Sequence, residues 1–125
     1  MEKYNKILGN FGEDAAEKFL KRQGYKILER NYRCRFGEVD LVALEDGCLV
    51  FVEVKTRVSE KYGNPSNAVN GMKLQHMKKT ALSYINYRRM GDYPARFDIA
   101  EVFADSGEKG FEIKKIHLIK NIFLY

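Results

Sequence analysis

The stretch FGEVDLVALEDGCLVFVEVK, residues 36–55, decides the fold. Asp46-Gly47 between two apolar runs signals a hairpin, because a type I′ turn needs positive φ at both central residues. A turn centred there pairs residues whose numbers sum to 93. Asp40 then faces Glu53, and Glu38 faces Lys55. Side chains alternate along a strand, so all four charges share one face, at the end far from the turn. A four-residue loop keeps this register and a three-residue loop breaks it.

Facing residues have Cβ atoms roughly 4.5–5.5 Å apart, where like charges destabilise a sheet. Apart from its charges the second run, LVFVEV at Leu49 to Val54, is apolar on both faces, as in a central strand covered on both sides. Burial sharpens the repulsion between Asp40 and Glu53. Two compensations are open. A divalent cation between the carboxylates would remove the repulsion, and hard oxygen ligands suit Mg²⁺ or Mn²⁺. Alternatively, Lys55, Arg33, Arg35 or Arg57 would neutralise the acids in an ion-pair network without a metal.

Outside the hairpin, GNFGEDAAEKFLKRQG reads as a helix. Asn10 would cap it, Glu13 and Asp14 sit in its first turn, Lys21 and Arg22 in its last, and Gly24 stops it. YKILERNYR reads as a first strand, and the hairpin from Gly37 to Lys55 supplies the second and third. Polar TRVSEKYGNPS, Thr56–Ser66, reads as a loop able to close over a substrate. Leu74, Met77, Ala81 and Ile85 predict a helix over about Ala68–Arg89, ended by Gly91. ARFDIAEVFA and FEIKKIHLI read as two further strands joined by the turn-like DSGEKG. The order α-β-β-β-α-β-β implies an α/β fold with a mixed sheet.

The 125 residues suit one domain, residues 1–125, with 45% apolar and 31% charged residues. There is no 18-residue apolar run, and MEKYNKILGN lacks the apolar core of a signal peptide. The expected location is therefore cytoplasmic, with no membrane partner. Cys34 and Cys48 lack metal-ligand spacing and read as free thiols. His76 and His117 stand alone and read as ordinary histidines. A net charge of +5 leans only slightly towards polyanions.

In the first helix, Gly12, Ala16, Phe19 and Leu20 form one stripe at roughly 100° per residue. Glu13 lies inside its edge, Glu17 at the border and Asp14 outside. Glu13 is thus the acid best placed to point at the sheet. A solvated first-turn glutamate favoured by the helix dipole is the other reading.

GEVDLVALEDGCLVFVEVKTR resembles the PD-(D/E)XK nuclease signature, with Asp40 as the first acid and Glu53-Val54-Lys55 as the E-x-K element. Together with GNFGEDAAEKFLKRQGYKILERNYR before it and RFDIAEV after it, the chain is similar to the YraN-like family. These small bacterial proteins are similar to archaeal Holliday-junction resolvases. The resemblance runs from about Lys6 to beyond Val102. It departs on the second helix, where the family often carries Lys-Gln and this chain reads Lys73-Leu74, with Gln75 one position later.

The resemblance implies a restriction-endonuclease-like core and metal-dependent endonuclease action on DNA, with branched or junction DNA as one substrate class. Glu13, Asp40, Glu53 and Lys55 match the family's catalytic set. Asp40 and Glu53, with Glu13, would hold Mg²⁺ or Mn²⁺; Glu38 would orient Lys55. DNA contacts are expected from Arg33, Arg35, Arg57, Lys61, Lys73, Lys78 and Lys79, with solvated surface charge as the plainer reading. RNA is an open alternative to DNA. Symmetric cuts would call for a homodimer, with the C-terminal NIFLY either an interface or a cover for its own core. The rivals to an enzyme are a non-catalytic nucleic-acid-binding module that keeps the nuclease fold, and a small protein-interaction subunit whose hairpin charges form only ion pairs.

Overall fold

The computed structural model describes residues 2–58 and 71–122, with the side chains of residues 71–74 set aside. The elements follow in the order α1 (Glu2–Arg22), β1 (Lys26–Cys34), β2 (Gly37–Glu45), β3 (Cys48–Val58), α2 (Gly71–Arg88), β4 (Ala95–Gly107) and β5 (Gly110–Ile119). The strands form one mixed sheet in the order β1-β2-β3-β4-β5. Only the β3–β4 pair is parallel, because α2 lies in the crossover between them. The expected element order and mixed α/β sheet are both present. None of the described helices is long and apolar enough to cross a membrane.

Asp46 and Gly47 have φ of 50° and 74°, as a type I′ turn requires. The β2–β3 ladder runs from Glu45↔Cys48 to Leu41↔Val52 in the expected register. Leu49, Val50, Phe51 and Val52 are all fully buried, so β3 is covered on both faces. On one face α1 contributes Ala15, Ala16 and Leu20 to a core with Leu41, Ala43, Val50, Val52, Ala100 and Val102. On the other, Met77, Ala81 and Tyr84 of α2 pack on Val42, Leu49, Phe51 and Phe97.

Two helix boundaries differ from expectation. Helix α1 begins at Glu2, so Asn10 is an interior residue and not its cap. The added turns are held by a remote strand: Tyr4 and Phe11 lie 5.7 and 5.5 Å from the ring of Phe111 on β5. Gly24 does stop α1, with φ 96° and Tyr25 N–H donating to the Leu20 carbonyl at 3.0 Å. Helix α2 ends before Gly91. Arg89 takes the left-handed conformation at φ 54°, and Met90 N–H donates to Ile85 O at 2.9 Å. The expected loop at Thr56 is strand as far as Val58; its remainder, with Gly63 and Lys61, lies outside the described residues, as do residues 68–70. From NIFLY, Ile122 packs on the α2-side core, and residues 123–125 lie outside the described residues.

Gly12 sets how closely α1 sits on the sheet. A Cβ there would stand 1.8 Å from Thr56 Oγ1 and 2.9 Å from Thr56 Cβ on β3. Gly12→Ala is expected to push the helix outwards and cost about 1–3 kcal/mol, measurable by urea unfolding. An unchanged midpoint would show that this contact yields freely.

Candidate active site

The site arises where the sheet's alternation fails. Val42 and Val39 both pack on the α2 side, while Leu41 faces α1. Strict alternation would put Val39 beside Leu41, so the pleat slips at Asp40. Opposite, Asn31 on β1 has φ 57°, and the β1–β2 ladder passes from Arg30↔Leu41 to Tyr32↔Val39 around both residues. The β2–β3 ladder stops at Leu41↔Val52, one step short of Asp40 and Glu53. The expected facing pairs Asp40–Glu53 and Glu38–Lys55 therefore fall beyond its end. Asp40 Oδ2 accepts the Val54 N–H at 2.7 Å, so a side-chain carboxylate replaces a backbone carbonyl as the strands part.

A cleft of about 60 Å³ opens there, lined by Glu38, Val39, Asp40, Glu53, Met77 and Phe97. Lys55 Nζ lies 3.8 Å from Glu53 Oε1. Glu13 is the helix acid turned inwards, with its side chain 16% exposed against 60% for Asp14. Because α1 begins at Glu2, Glu13 is mid-helix, which removes the helix-dipole reading. Burial pushes the Asp40 carboxyl up to about 6, the Val54 amide opposes this, and the charges of Glu13, Glu53 and Glu38 add to the rise.

That shift has a sign. A carboxyl whose folded pKa exceeds its unfolded value favours folding below about pH 4 and loses that advantage as pH rises to about 6. In metal-free buffer, Asp40→Asn is expected to stabilise the fold at pH 7 by up to about 3 kcal/mol, with little gain at pH 4. Urea midpoints of both proteins at the two pH values check this; an equal change at both would remove Asp40's titration as the cause.

The other expected residues divide. Glu38 pairs with Arg33 at 2.8 Å, its register partner on β1, and Lys55 with Glu53, so Glu38 is not placed as the orienter of Lys55 by a described ion pair. Arg57 points inwards, 15% exposed, with Nε 3.5 Å from Glu101 Oε2. It is a half-buried partner of Glu101. Arg35 and Lys79 flank the Phe36 ring at 4.8 and 5.7 Å. Lys78 lines an apolar cleft with Ala81, Leu82 and Ile85. Lys61 and the side chain of Lys73 lie outside the described residues. Cys34 and Cys48 are free and half-buried, as expected.

Two groups had not been expected. Arg30 on β1 ties down α1: its Nε lies 3.5 Å from Glu13 Oε1, and its Nη1 lies 2.6 Å from Asp14 and 3.4 Å from Glu17. Glu101 on β4 is 2% exposed, in register with Lys55 on one side and His117 on the other. His117 Nδ1 lies 3.2 Å from Glu101 Oε1. His117 is therefore more than an isolated histidine. The signal for Glu101 was available, since a charge inside the apolar run IAEVF is the same anomaly as Glu53. Arg30 gave none, because its three acids belong to another element.

Asp40 and Glu53 offer hard oxygens that suit Mg²⁺, and Asp40's raised pKa is what an added cation would reverse. Among the described residues, however, no three His, Cys, Asp or Glu side chains are grouped to hold an ion. The acids nearest in effect to Asp40 are Glu13 and Glu53, whose charges both push its carboxyl up, and each carries a buried carboxylate oxygen with no hydrogen-bond partner among the described residues. The Val54 carbonyl is the backbone candidate. It projects to the same side as the Val54 N–H that meets Asp40.

Residues 12–102 match the model of the uncharacterised protein family UPF0102. A UPF0102 protein of Caldicellulosiruptor bescii is 49% identical over 119 residues, covering 94% of this chain and 98% of the relative. One from Caldanaerobacter subterraneus subsp. tengcongensis is 45% identical over 124 residues, covering 98% and 100%. One from Clostridium acetobutylicum is 42% identical over 123 residues, covering 98% of each. The matched stretch spans α1 to β4 and includes Glu13, Asp40, Glu53, Lys55 and Glu101. The chain therefore belongs to the UPF0102 family, the YraN-like proteins that its motifs resemble.

Proposed function

We propose that this protein is a cytoplasmic, metal-dependent endonuclease with a restriction-endonuclease-like core, hydrolysing phosphodiester bonds of DNA. One observation carries the reading. The sheet gives up its ladder at Asp40 and leaves a half-buried carboxyl, its pKa pushed up to about 6, in one cleft with Glu53, which Lys55 meets. Glu13, Glu38 and Glu53 each meet a cation, Arg30, Arg33 and Lys55, whereas Asp40 has no ion pair among the described residues and would be left to a metal.

Asp40 and Glu53 would hold Mg²⁺ or Mn²⁺, and the Val54 amide fixes the orientation of Asp40 for that task. When bound, such an ion supplies Lewis-acid polarisation of a phosphate oxygen and lowers the pKa of a coordinated water. Lys55 donates to a non-bridging phosphate oxygen or to the attacking water, and stabilises the charge that develops in the transition state. Glu53 Oε1, 3.8 Å from Lys55 Nζ, holds the lysine beside the cleft-lining acids. Glu13, anchored by Arg30, adds its charge to those acting on Asp40 and would complete the ion's ligands. By analogy with junction resolvases, branched DNA is the preferred substrate and two copies act together.

The test is cleavage of labelled single-stranded, duplex, flap and four-way-junction DNA, with an RNA strand beside them, in Mg²⁺, Mn²⁺ or chelator. Metal-dependent cutting supports the enzyme. Binding without cutting in either metal replaces it with the non-catalytic module.

A further inference from the structure

A second group of residues lies outside the acidic cleft, along α2 and the edge strand β1. Two open concavities of about 500 and 510 Å³ meet at Ser83. The first is walled by Tyr32, Arg33 and Tyr87, the second by Phe36 and Lys79. Tyr87 is 69% exposed, an unfavourable place for a large ring. It is nonetheless well supported. Its ring stacks on Tyr32 at 6.4 Å and 23°; Tyr32 stands edge-on to buried Tyr84 at 5.1 Å and shares a 2.6 Å hydrogen bond with Ser83. One face of a fixed aromatic stack is thus turned to solvent.

The surrounding charge is cationic where it is uncompensated. Arg35 and Lys79 sit over Phe36 and form no ion pair among the described residues. Glu29, in the first concavity, is paired with Arg88 at 3.6 Å. An exposed ring beside unpaired cations suits a ligand with planar faces and a polyanionic backbone. Bases inside a duplex are stacked on one another and cannot reach the ring, whereas an unpaired base can. Met77, which lines the acidic cleft, and Tyr87 are ten residues apart on α2, about 15 Å at the helical rise. That is a span of a few nucleotides.

We propose that the Tyr32–Tyr87 stack is a subsite for an unpaired base, with Arg35 and Lys79 on its phosphates, so that this protein engages DNA containing a single-stranded segment. The inference rests on the nuclease reading for the position of the scissile phosphate, but its own readout is binding.

The chain contains no tryptophan, so Tyr87→Trp introduces a single indole at the stack. Titration of that variant with dT12 in EDTA is expected to quench the indole emission, and the blunt duplex of the same length to quench it far less. In anisotropy with fluorescein-labelled dT12, Tyr87→Ala is expected to bind about 5- to 150-fold more weakly, Tyr87→Phe to retain affinity, and duplex binding to move less than twofold. Unchanged indole emission at saturation, or dT12 affinity unaltered by Tyr87→Ala, overturns the subsite. If that occurs while Asp40-dependent cleavage persists, the nuclease reading survives without it. If the binding effect appears and no substrate is cut, the subsite stands and the nuclease reading falls. Wild-type protein that neither binds nor cuts any probe overturns both.

Discussion

Asp40→Ala and Glu53→Ala are each expected to lower metal-dependent cleavage by about a thousandfold or more while leaving the protein folded. The size follows from the role proposed: a carboxylate that holds a catalytic ion controls several kcal/mol of transition-state stabilisation, and each 1.36 kcal/mol is about tenfold in rate. Persistence of the fold follows from Asp40's surroundings. Its carboxyl is half-buried and feels the charges of Glu13, Glu53 and Glu38, so removing its own charge relieves repulsion at neutral pH. Loss of activity with stability kept or raised is the pattern of a functional acid. The two substitutions act on one ligand set, so the double variant should be little worse than either alone. Single-turnover rates at saturating Mg²⁺, with unfolding midpoints for the same proteins, decide the matter. Activity within tenfold of wild type in both single variants would end the assignment.

Arg96→Met is expected to cost about 3–5 kcal/mol of stability, a large share of the 5–15 kcal/mol usual for a domain. Asp98 on β4 is fully buried and accepts from Tyr25 Oη at 2.9 Å, Arg96 Nε at 3.1 Å and the Asn121 amide at 3.1 Å. Arg96 also binds Glu45, which Lys120 meets at 3.1 Å. Burial and the charge of Asp98 push the Tyr25 phenol well above its ordinary value, so it remains a donor at all working pH values. These contacts join the α1–β1 junction, the turn end of β2, the start of β4 and the segment after β5. Without the guanidinium, a buried carboxylate keeps only neutral donors, and methionine restores volume but no charge. Urea unfolding provides the measurement; a loss below 1 kcal/mol would show that Tyr25 and the Asn121 amide suffice. The network sits at the turn end of the β2–β3 hairpin, away from Asp40, so cleavage per folded molecule should be unaffected.

How much was legible in the sequence depends on whether neighbours along the chain determined the outcome. Asp46-Gly47 specified the hairpin and its register as far as Leu41↔Val52, because turn chemistry and two-residue alternation are local properties. Gly24 marked the end of α1 for the same reason. Charges inside an apolar run marked Asp40, Glu53 and Lys55, since burying them without compensation is costly wherever they fold. The choice of compensation was not local. Asp40 left the ladder for the Val54 amide, Arg30 gathered three acids from α1, and Arg57 turned inwards to Glu101. The start of α1 at Glu2 was likewise settled by Phe111 on β5. The sequence alone thus determined the hairpin, the order of elements and the acids that had to be accounted for. Only the tertiary structure decided which partner each buried charge would meet, because those partners come from elements that become neighbours through packing.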